Sequence, residues 1–191
     1  MKPRPLIAPC PDEVLPQSMR EAVARSRKLR GDDTFIRVMG HAPEMYEWYG
    51  DFYRRIFHGG RVGAAYKELL RYRLSTLHGC AFCNKGNRED ALAAGLSPDQ
   101  LRHIDDPGAD CWSAAQAVVI RLAGEMALTR PSGSLSPTLH AELSEHFDEG
   151  QILELGITMA VLTGMAKFLF VFDLVEREDY CEFGPAPPTA P

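Results

Sequence analysis

Apolar residues recur at helical spacing along residues 17–180, and no stretch alternates apolar and polar positions as a half-buried strand would. Longer helices are predicted over 17–29, 43–58, 62–77, 80–94, 112–129 and 149–175. Shorter helices are expected to begin after Asp33, Ser97 and Ser136, which are helix-capping residue types. Glycine or proline ends most of these segments, so the pattern predicts an all-α fold.

Proline-rich segments flank the helical region. Residues 1–16 hold five of the 14 prolines, and residues 181–191 read CEFGPAPPTAP; neither segment has a helical period. We therefore predict one helical domain over residues 17–180, between an N-terminal arm (1–16) and a C-terminal tail (181–191).

The segment 149–175 is apolar on nearly every face. Such a helix has to be buried all round, either by its own domain or by another subunit. Its longest apolar run covers 12 residues, Leu155 to Ala166, against the ~20 that a membrane span requires. We therefore expect no membrane partner.

Net charge and composition narrow the range of possible partners and cellular locations. The chain has 191 residues and a net charge of −5, which argues against nucleic acid as a partner. Arg54, Arg55, Arg71 and Arg73 form a local basic group that we interpret as a solvated face. The first 16 residues contain no apolar leader segment, so we expect a cytoplasmic protein.

An aromatic stripe runs along the helix predicted over 43–58, from Tyr46 to Phe57. Such a stripe at helical spacing most often belongs to a hydrophobic core. The alternative is the wall of a substrate pocket, for which Trp48, Tyr49 and Phe52 are the candidates.

The candidate chemistry lies in Cys80-Ala-Phe-Cys83, which opens a predicted helix after Gly79. Two cysteines three residues apart share a helix face, and the unpaired amides of the first turn favour a thiolate. A redox dithiol is therefore the favoured interpretation, with two inert buried cysteines as the alternative. A zinc site would need two further ligands, such as Cys111 and His78, so we expect no metal and no organic cofactor.

A carboxylate precedes this pair, because Glu68 lies twelve residues before Cys80. If the helix folds back at Gly79, a buried Glu68 with a raised pKa could exchange protons with a thiol. The alternative is a solvated glutamate beside Lys67 and Arg71.

Residues 67–91 resemble the alkylhydroperoxidase D-like branch of the carboxymuconolactone decarboxylase superfamily. Their sequence is KELLRYRLSTLHGCAFCNKGNREDA. Members of that branch carry Glu, eleven residues, Cys, two, Cys, three and His. The resemblance implies an all-helical fold assembled as dimers, trimers or hexamers. It implies that Cys83 attacks a small hydroperoxide, Cys80 resolves the product, Glu68 relays protons and an external dithiol re-reduces the pair.

The chain departs from that pattern at Asn87, where the family has histidine. An amide orients a water or thiolate but does not take up a proton near neutral pH. His78, two residues before Cys80, is the nearest candidate to replace the missing imidazole; otherwise it interacts with carbonyls at the end of its helix.

Two other functions remain open. One is a lyase or decarboxylase acting on a small carboxylated lactone, which would not rely on the two cysteines. The other is a non-enzymatic redox-sensing module, whose dithiol would be oxidised once without turnover.

Overall fold

The computed structural model describes residues 1–184, and it contains only helices, turns and loops there. After a short 3-10 turn at Asp12–Val14, nine α-helices follow in that range. They are α1 (Gln17–Arg30), α2 (Thr34–Met39), α3 (Pro43–His58), α4 (Ala64–His78), α5 (Ala81–Ala93), α6 (Pro98–Arg102), α7 (Ala114–Met126), α8 (Pro137–Ser144) and α9 (Glu149–Val171). The all-α prediction is confirmed, although α7 and α9 end before the predicted Thr129 and Val175.

Helix α4 occupies the centre of the fold and packs against α3, α5, α7 and α9. Its Leu69, Leu70 and Leu74 are almost fully buried, as the apolar spacing of this helix requires. Two hydrophobic clusters meet around it. The first joins α4 to α7, α8 and the N-terminal half of α9. The second joins α1, α2 and the start of α5 to the C-terminal half of α9.

Gly79 makes the turn between α4 and α5. Its φ of 66° is in the left-handed region, where glycine is favoured. A Cβ at this position would also lie 2.7 Å from the Cβ of Cys181. Both the backbone conformation and the lack of space at this turn therefore require glycine. The turn places Cys80 directly at the start of α5.

Residues 1–16 pack against the same chain. Cys10 and Leu15 are buried, and the amide of Cys10 donates to the carbonyl of Arg37. The amino group of Met1 donates to the carbonyl of Arg177.

The first residues of the predicted C-terminal tail also pack on the domain. Phe183 stacks on Phe170, with 5.5 Å between ring centroids. Cys181 donates from its thiol to the carbonyl of His78. The rest of the predicted tail, 185–191, lies outside the described residues.

Within the single chain, only one side of α9 is buried. Leu153, Ile157 and Val171 are 66%, 59% and 65% exposed, whereas Leu155 and Met159 on the opposite side are fully buried. By length and hydropathy this 23-residue helix also qualifies as a possible membrane span, which the uninterrupted 12-residue run had not indicated. Core helices of soluble proteins meet the same criterion, and α9 packs against α4 and α7 here.

An ion pair between a buried lysine and a glutamate joins α4 to α9. Lys67 is 1% exposed, and its Nζ lies 2.5 Å from a carboxylate oxygen of Glu154. The same ammonium donates to the carbonyls of Ile56 and Gly59, at 2.6 Å each. All three ammonium protons therefore have a partner, which is the condition for burying this charge.

Replacing Lys67 with methionine keeps most of the side-chain volume but removes the ammonium that pairs with Glu154 and donates to two carbonyls. Only the amides of Arg61 and Val62 still donate to Glu154. We expect the free energy of unfolding to fall by about 2–4 kcal/mol. Urea denaturation at neutral pH measures this change. The exposed Lys28→Met is the control and should change stability by less than about 0.5 kcal/mol. Equal midpoints for the two variants would contradict the structural role of Lys67.

Candidate functional site

A cavity of about 320 Å³ lies between α1, α2, α3, α4, α5 and α9. Most of its wall is apolar or aromatic, formed among others by Phe35, Ile36, Tyr46, Leu74, Phe82, Leu162, Met165 and Leu169. Four of the five predicted catalytic residues line it, namely Cys80, Cys83, His78 and Asn87. Glu68, the fifth, is not among the lining residues.

Cys80 and Cys83 form a disulfide at the wall of this cavity, with their Cα atoms 5.2 Å apart. Cys80 is the N-cap of α5, and its Sγ accepts a hydrogen bond from the amide of Cys83 at 3.2 Å. Cys80 is 1% exposed, whereas Cys83 is half-buried. In the reduced protein the helix start therefore stabilises a thiolate in this pair, and Cys83 is the more exposed of the two residues.

Glu68 pairs with Arg71 rather than with a cysteine. One carboxylate oxygen of Glu68 lies 2.6 Å from a guanidinium nitrogen of Arg71, one turn further along α4. Burial raises the pKa of Glu68 to about 7, although the charge of Arg71 acts in the opposite direction. The predicted carboxylate with a raised pKa is therefore present, but its direct partner is an arginine that lines the cavity.

Arg71 was expected on a solvated face, and that expectation is wrong. The residue is 6% exposed, because α4 directs it toward the cavity between α3 and α5. Its guanidinium donates to the Tyr53 hydroxyl and to Asp90, and it lies over the ring of Phe57. Arg71 was overlooked because a charged residue in a basic stretch usually faces water. Its spacing of three from Glu68 was the available signal.

Asn87 is buried, and its amide donates to the carbonyl of Arg71 at 3.3 Å. Asn87 therefore helps to hold α5 against α4 beside the dithiol. It performs the positioning that an amide allows and supplies no titratable group.

His78 does not act as a free base in this structure. Its Nε2 accepts a hydrogen bond from the amide of Leu128 at 3.0 Å, which places the proton on Nδ1. Burial lowers the pKa of His78 to about 4, so the imidazole is neutral at physiological pH. The hypothesis that His78 replaces the missing family imidazole is therefore not supported, since its basic nitrogen is already occupied.

Part of the aromatic stripe on α3 lines the cavity, and part of it does not. Tyr49 lines the cavity, as does Tyr53, which was not predicted as a pocket residue. Trp48 and Phe52 are not among the lining residues; they stack on each other, and Trp48 is 63% exposed. The pocket hypothesis therefore holds geometrically for Tyr49 and not for the other two.

Sequence reasoning also missed Arg30, the last residue of α1, which lines the cavity. No local pattern distinguishes it from the other basic residues at the end of this helix. Its position follows from the packing of α1 against α5.

Three side chains elsewhere have a spacing that suits a metal ion. The ligand atoms of Asp99, His103 and Cys111 lie within 4.8 Å of one another near the surface. Asp99 is already paired with Arg102. Cys111 belongs to the cluster around α7, so it does not complete a zinc site with the dithiol.

The raised pKa of Glu68 predicts a specific pH dependence of stability. Its folded-state pKa of about 7 exceeds the ordinary value of 4.5, so folding favours the protonated form. The resulting stabilisation is complete below pH ~4.5 and is lost as the pH rises through ~7. Between pH 5 and 8, we expect the wild type to lose about 1–3 kcal/mol relative to Glu68→Gln.

Urea denaturation of both proteins across this pH range tests the expectation. The exposed Glu89→Gln serves as the control and should follow the wild type. Parallel stability curves for wild type and Glu68→Gln would contradict a buried carboxyl group that titrates near neutrality.

Comparison with known proteins shows a similarity that is concentrated in the middle of the chain. Residues 43–123, from α3 through most of α7, match the model of the carboxymuconolactone decarboxylase family. The uncharacterised protein YdfG of Bacillus subtilis (strain 168) is 28% identical over 90 residues. That match covers 47% of this chain and 60% of YdfG, so it spans less than two thirds of the relative.

Solved structures share the fold at low sequence identity. The debrominase Bmp8 in complex with 2,3,4-tribromopyrrole has a TM-score of 0.73 at 16% identity, over 92% of this chain and 93% of that one. The alkylhydroperoxidase AhpD core, an uncharacterised peroxidase-related protein from Ralstonia eutropha JMP134, has a TM-score of 0.63 at 16% identity, over 93% of both chains. The chain therefore resembles the carboxymuconolactone decarboxylase family over residues 43–123, and it shares the helical fold of the AhpD core around its Cys80–Cys83 pair.

Proposed function

We propose that this protein is a cytoplasmic thiol-dependent peroxidase that reduces small hydroperoxides through Cys83 and Cys80. The observation that carries the proposal is the disulfide-forming pair in the wall of an apolar cavity. Such a cavity admits a small organic molecule and directs it to the sulfur atoms. The family match supports an enzyme of this superfamily, and the CxxC pair favours redox chemistry within it.

The proposed cycle has three steps. The Cys83 thiolate attacks the O–O bond of the hydroperoxide, which gives a sulfenic acid and, after protonation, an alcohol or water. The Cys80 thiol condenses with the sulfenic acid, releasing water and forming the Cys80–Cys83 disulfide. An external dithiol then reduces the disulfide by thiol–disulfide exchange and is itself oxidised to a disulfide.

Activation of the thiol differs in this proposal from the relay implied by the family resemblance. Neither Asn87 nor His78 supplies a base, and Glu68 acts on the cavity through Arg71. The start of α5 and the cation of Arg71 would instead favour the thiolate electrostatically. Glu68 and Asp90 act as positioning residues that hold Arg71 in place.

A thiol count after one equivalent of cumene hydroperoxide tests the proposed function. Reduced wild type should lose two thiols rapidly, because attack at Cys83 leads directly to the disulfide. Cys83→Ser should react at least about 10³-fold more slowly, as expected when the nucleophile is removed. Cys80→Ser should still react but should stop at the sulfenic acid, which a dimedone label detects by mass spectrometry.

Cys111→Ser is the matched control, because Cys111 is a half-buried free cysteine outside the cavity. It should react like wild type. If wild type reacts no faster than a free thiol in solution, the protein is not a peroxidase. If Cys80→Ser stops reacting while Cys83→Ser continues, the two sulfur roles are reversed.

A second candidate reaction is reductive removal of a halogen from a small aromatic ring. It is supported by the fold shared with a debrominase solved with a bromopyrrole and by the aromatic residues of the cavity. Two thiols would reduce the carbon–bromine bond to carbon–hydrogen, releasing bromide and a proton and leaving the disulfide. Bromide release from 2,3,4-tribromopyrrole would favour this reaction over peroxide reduction.

The same assays separate the remaining alternatives. A lyase or decarboxylase acting on a carboxylated lactone would keep its turnover in a Cys80→Ser/Cys83→Ser double variant. A redox-sensing module would be oxidised once and would show no turnover with excess peroxide and dithiol.

The exposed apolar face of α9 supports assembly as a homo-oligomer. Leu153, Ile157 and Val171 would be covered by a second copy, which accounts for a helix without a polar side. We expect Ile157→Glu to reduce the molar mass measured by light scattering to that of a smaller assembly. Glu145→Gln, at an exposed residue outside α9, should leave it unchanged. A wild-type protein that is monomeric at micromolar concentration would contradict the assembly.

A further inference from the structure

Arg30 lines the cavity without an acidic partner. Among residues 1–184 no carboxylate lies within 4.0 Å of its guanidinium, and its buried Nε makes no hydrogen bond there. Arg71 and Arg37 differ, because each has carboxylate partners. Burial lowers the pKa of Arg30, and the charge of Asp90 acts in the opposite direction. The side chain is therefore a partly desolvated cation whose charge is not locally balanced.

The position of Arg30 is fixed by α5. Its guanidinium carbon lies 5.0 Å from the centre of the Phe82 ring, within the range of a cation–π contact. A Cβ on Gly86 would lie 2.8 Å from that carbon, so the guanidinium occupies the space that a side chain would take. Gly86 follows Cys83 by three residues on the same helix face. The cation therefore packs against α5 about one helical turn beyond Cys83.

The charges around the cavity indicate how much negative charge a ligand would bring. Arg71 is already neutralised by Asp90 and by the ionised fraction of Glu68. His78 is neutral because of its burial. One positive charge, that of Arg30, remains without a counter-charge, and the surrounding wall is apolar. A single carboxylate matches this charge and the planar fork of the guanidinium. A phosphate dianion would leave a second negative charge in an apolar site.

We propose that Arg30 is an anion-binding subsite that takes the carboxylate of a small amphipathic ligand with an apolar or aromatic body. The body would contact Phe35, Tyr49 and Leu162, and the end of the ligand beside the carboxylate would lie against Phe82. Combined with the proposed function, on which this step rests, the preferred substrate is a hydroperoxide that also carries a carboxylate.

Calorimetric titration of the oxidised full-length protein tests the subsite without any turnover. The probes are 3-phenylpropionate and its neutral counterpart 3-phenylpropionamide. We expect wild type to bind the carboxylate about 10–100-fold more tightly than the amide, because a charge-assisted hydrogen bond forms only with the anion. Arg30→Gln should remove this preference and leave the amide affinity unchanged.

Two further variants distinguish the effect of the position of the Arg30 guanidinium from the effect of the net charge of α1. Arg27→Gln changes the charge of α1 equally, but Arg27 is largely exposed and pairs with Asp33, so the preference for the carboxylate should persist. Gly86→Ala keeps the charge of Arg30 but displaces its guanidinium, so the preference should fall. Circular dichroism verifies that each variant is folded. If Arg30→Gln does not fold, the comparison of wild type with Gly86→Ala decides the question.

The outcomes distinguish this inference from the proposed function. Equal affinity of wild type for both probes, or an unchanged preference in folded Arg30→Gln, overturns the subsite even if cumene hydroperoxide is reduced. A preference that depends on Arg30 and Gly86 establishes the subsite, even if Cys83 proves not to react with peroxides.

Discussion

The packing of α4 against α5 through the turn at Gly79 is the constraint on which the rest of the site depends. Because Gly79 adopts a left-handed conformation and lies against Cys181, α4 ends there and α5 starts at once with Cys80 as its N-cap. The dithiol thereby combines the electrostatics of a helix start with a position in the cavity wall. The amide of Glu178 donates to the Gly79 carbonyl, so the C-terminal segment supports the same turn.

The polar side of the cavity contains permanent cations rather than a base that titrates near neutral pH. Arg71 is held by Tyr53, which also lines the cavity, and by Glu68 and Asp90, which do not. Asn87 binds the backbone of α4 instead of exchanging protons. This arrangement stabilises negative charge at all accessible pH values, whereas an imidazole would do so only when protonated. The departure at Asn87 therefore changes how a thiolate would be favoured and leaves the dithiol itself intact.

Much of the fold could be predicted from the sequence because the relevant signals are local. The caps at Ser97 and Ser136 and the glycine at position 79 determine where helices start and stop without reference to the rest of the chain. The dithiol was equally visible, since its spacing alone places both sulfurs on one helix face. Prediction failed where a residue's environment is created by distant elements. Arg71 looks solvated within its own helix, and it is buried only because α3 and α5 cover it.

The same reasoning explains why Arg30 and the outer face of α9 were not foreseen. Arg30 ends a helix rich in exposed arginines, and only the contact of α1 with α5, where Gly86 leaves space, brings it to the cavity. The sequence shows that α9 carries apolar residues on all sides. It does not show which side the rest of the chain covers. Its inner side closes the cavity with Leu162, Met165 and Leu169. Its outer side exposes Leu153 and Ile157. A second copy that covered those residues would therefore also fix the helix that closes the site, which links the proposed assembly to the geometry of the cavity.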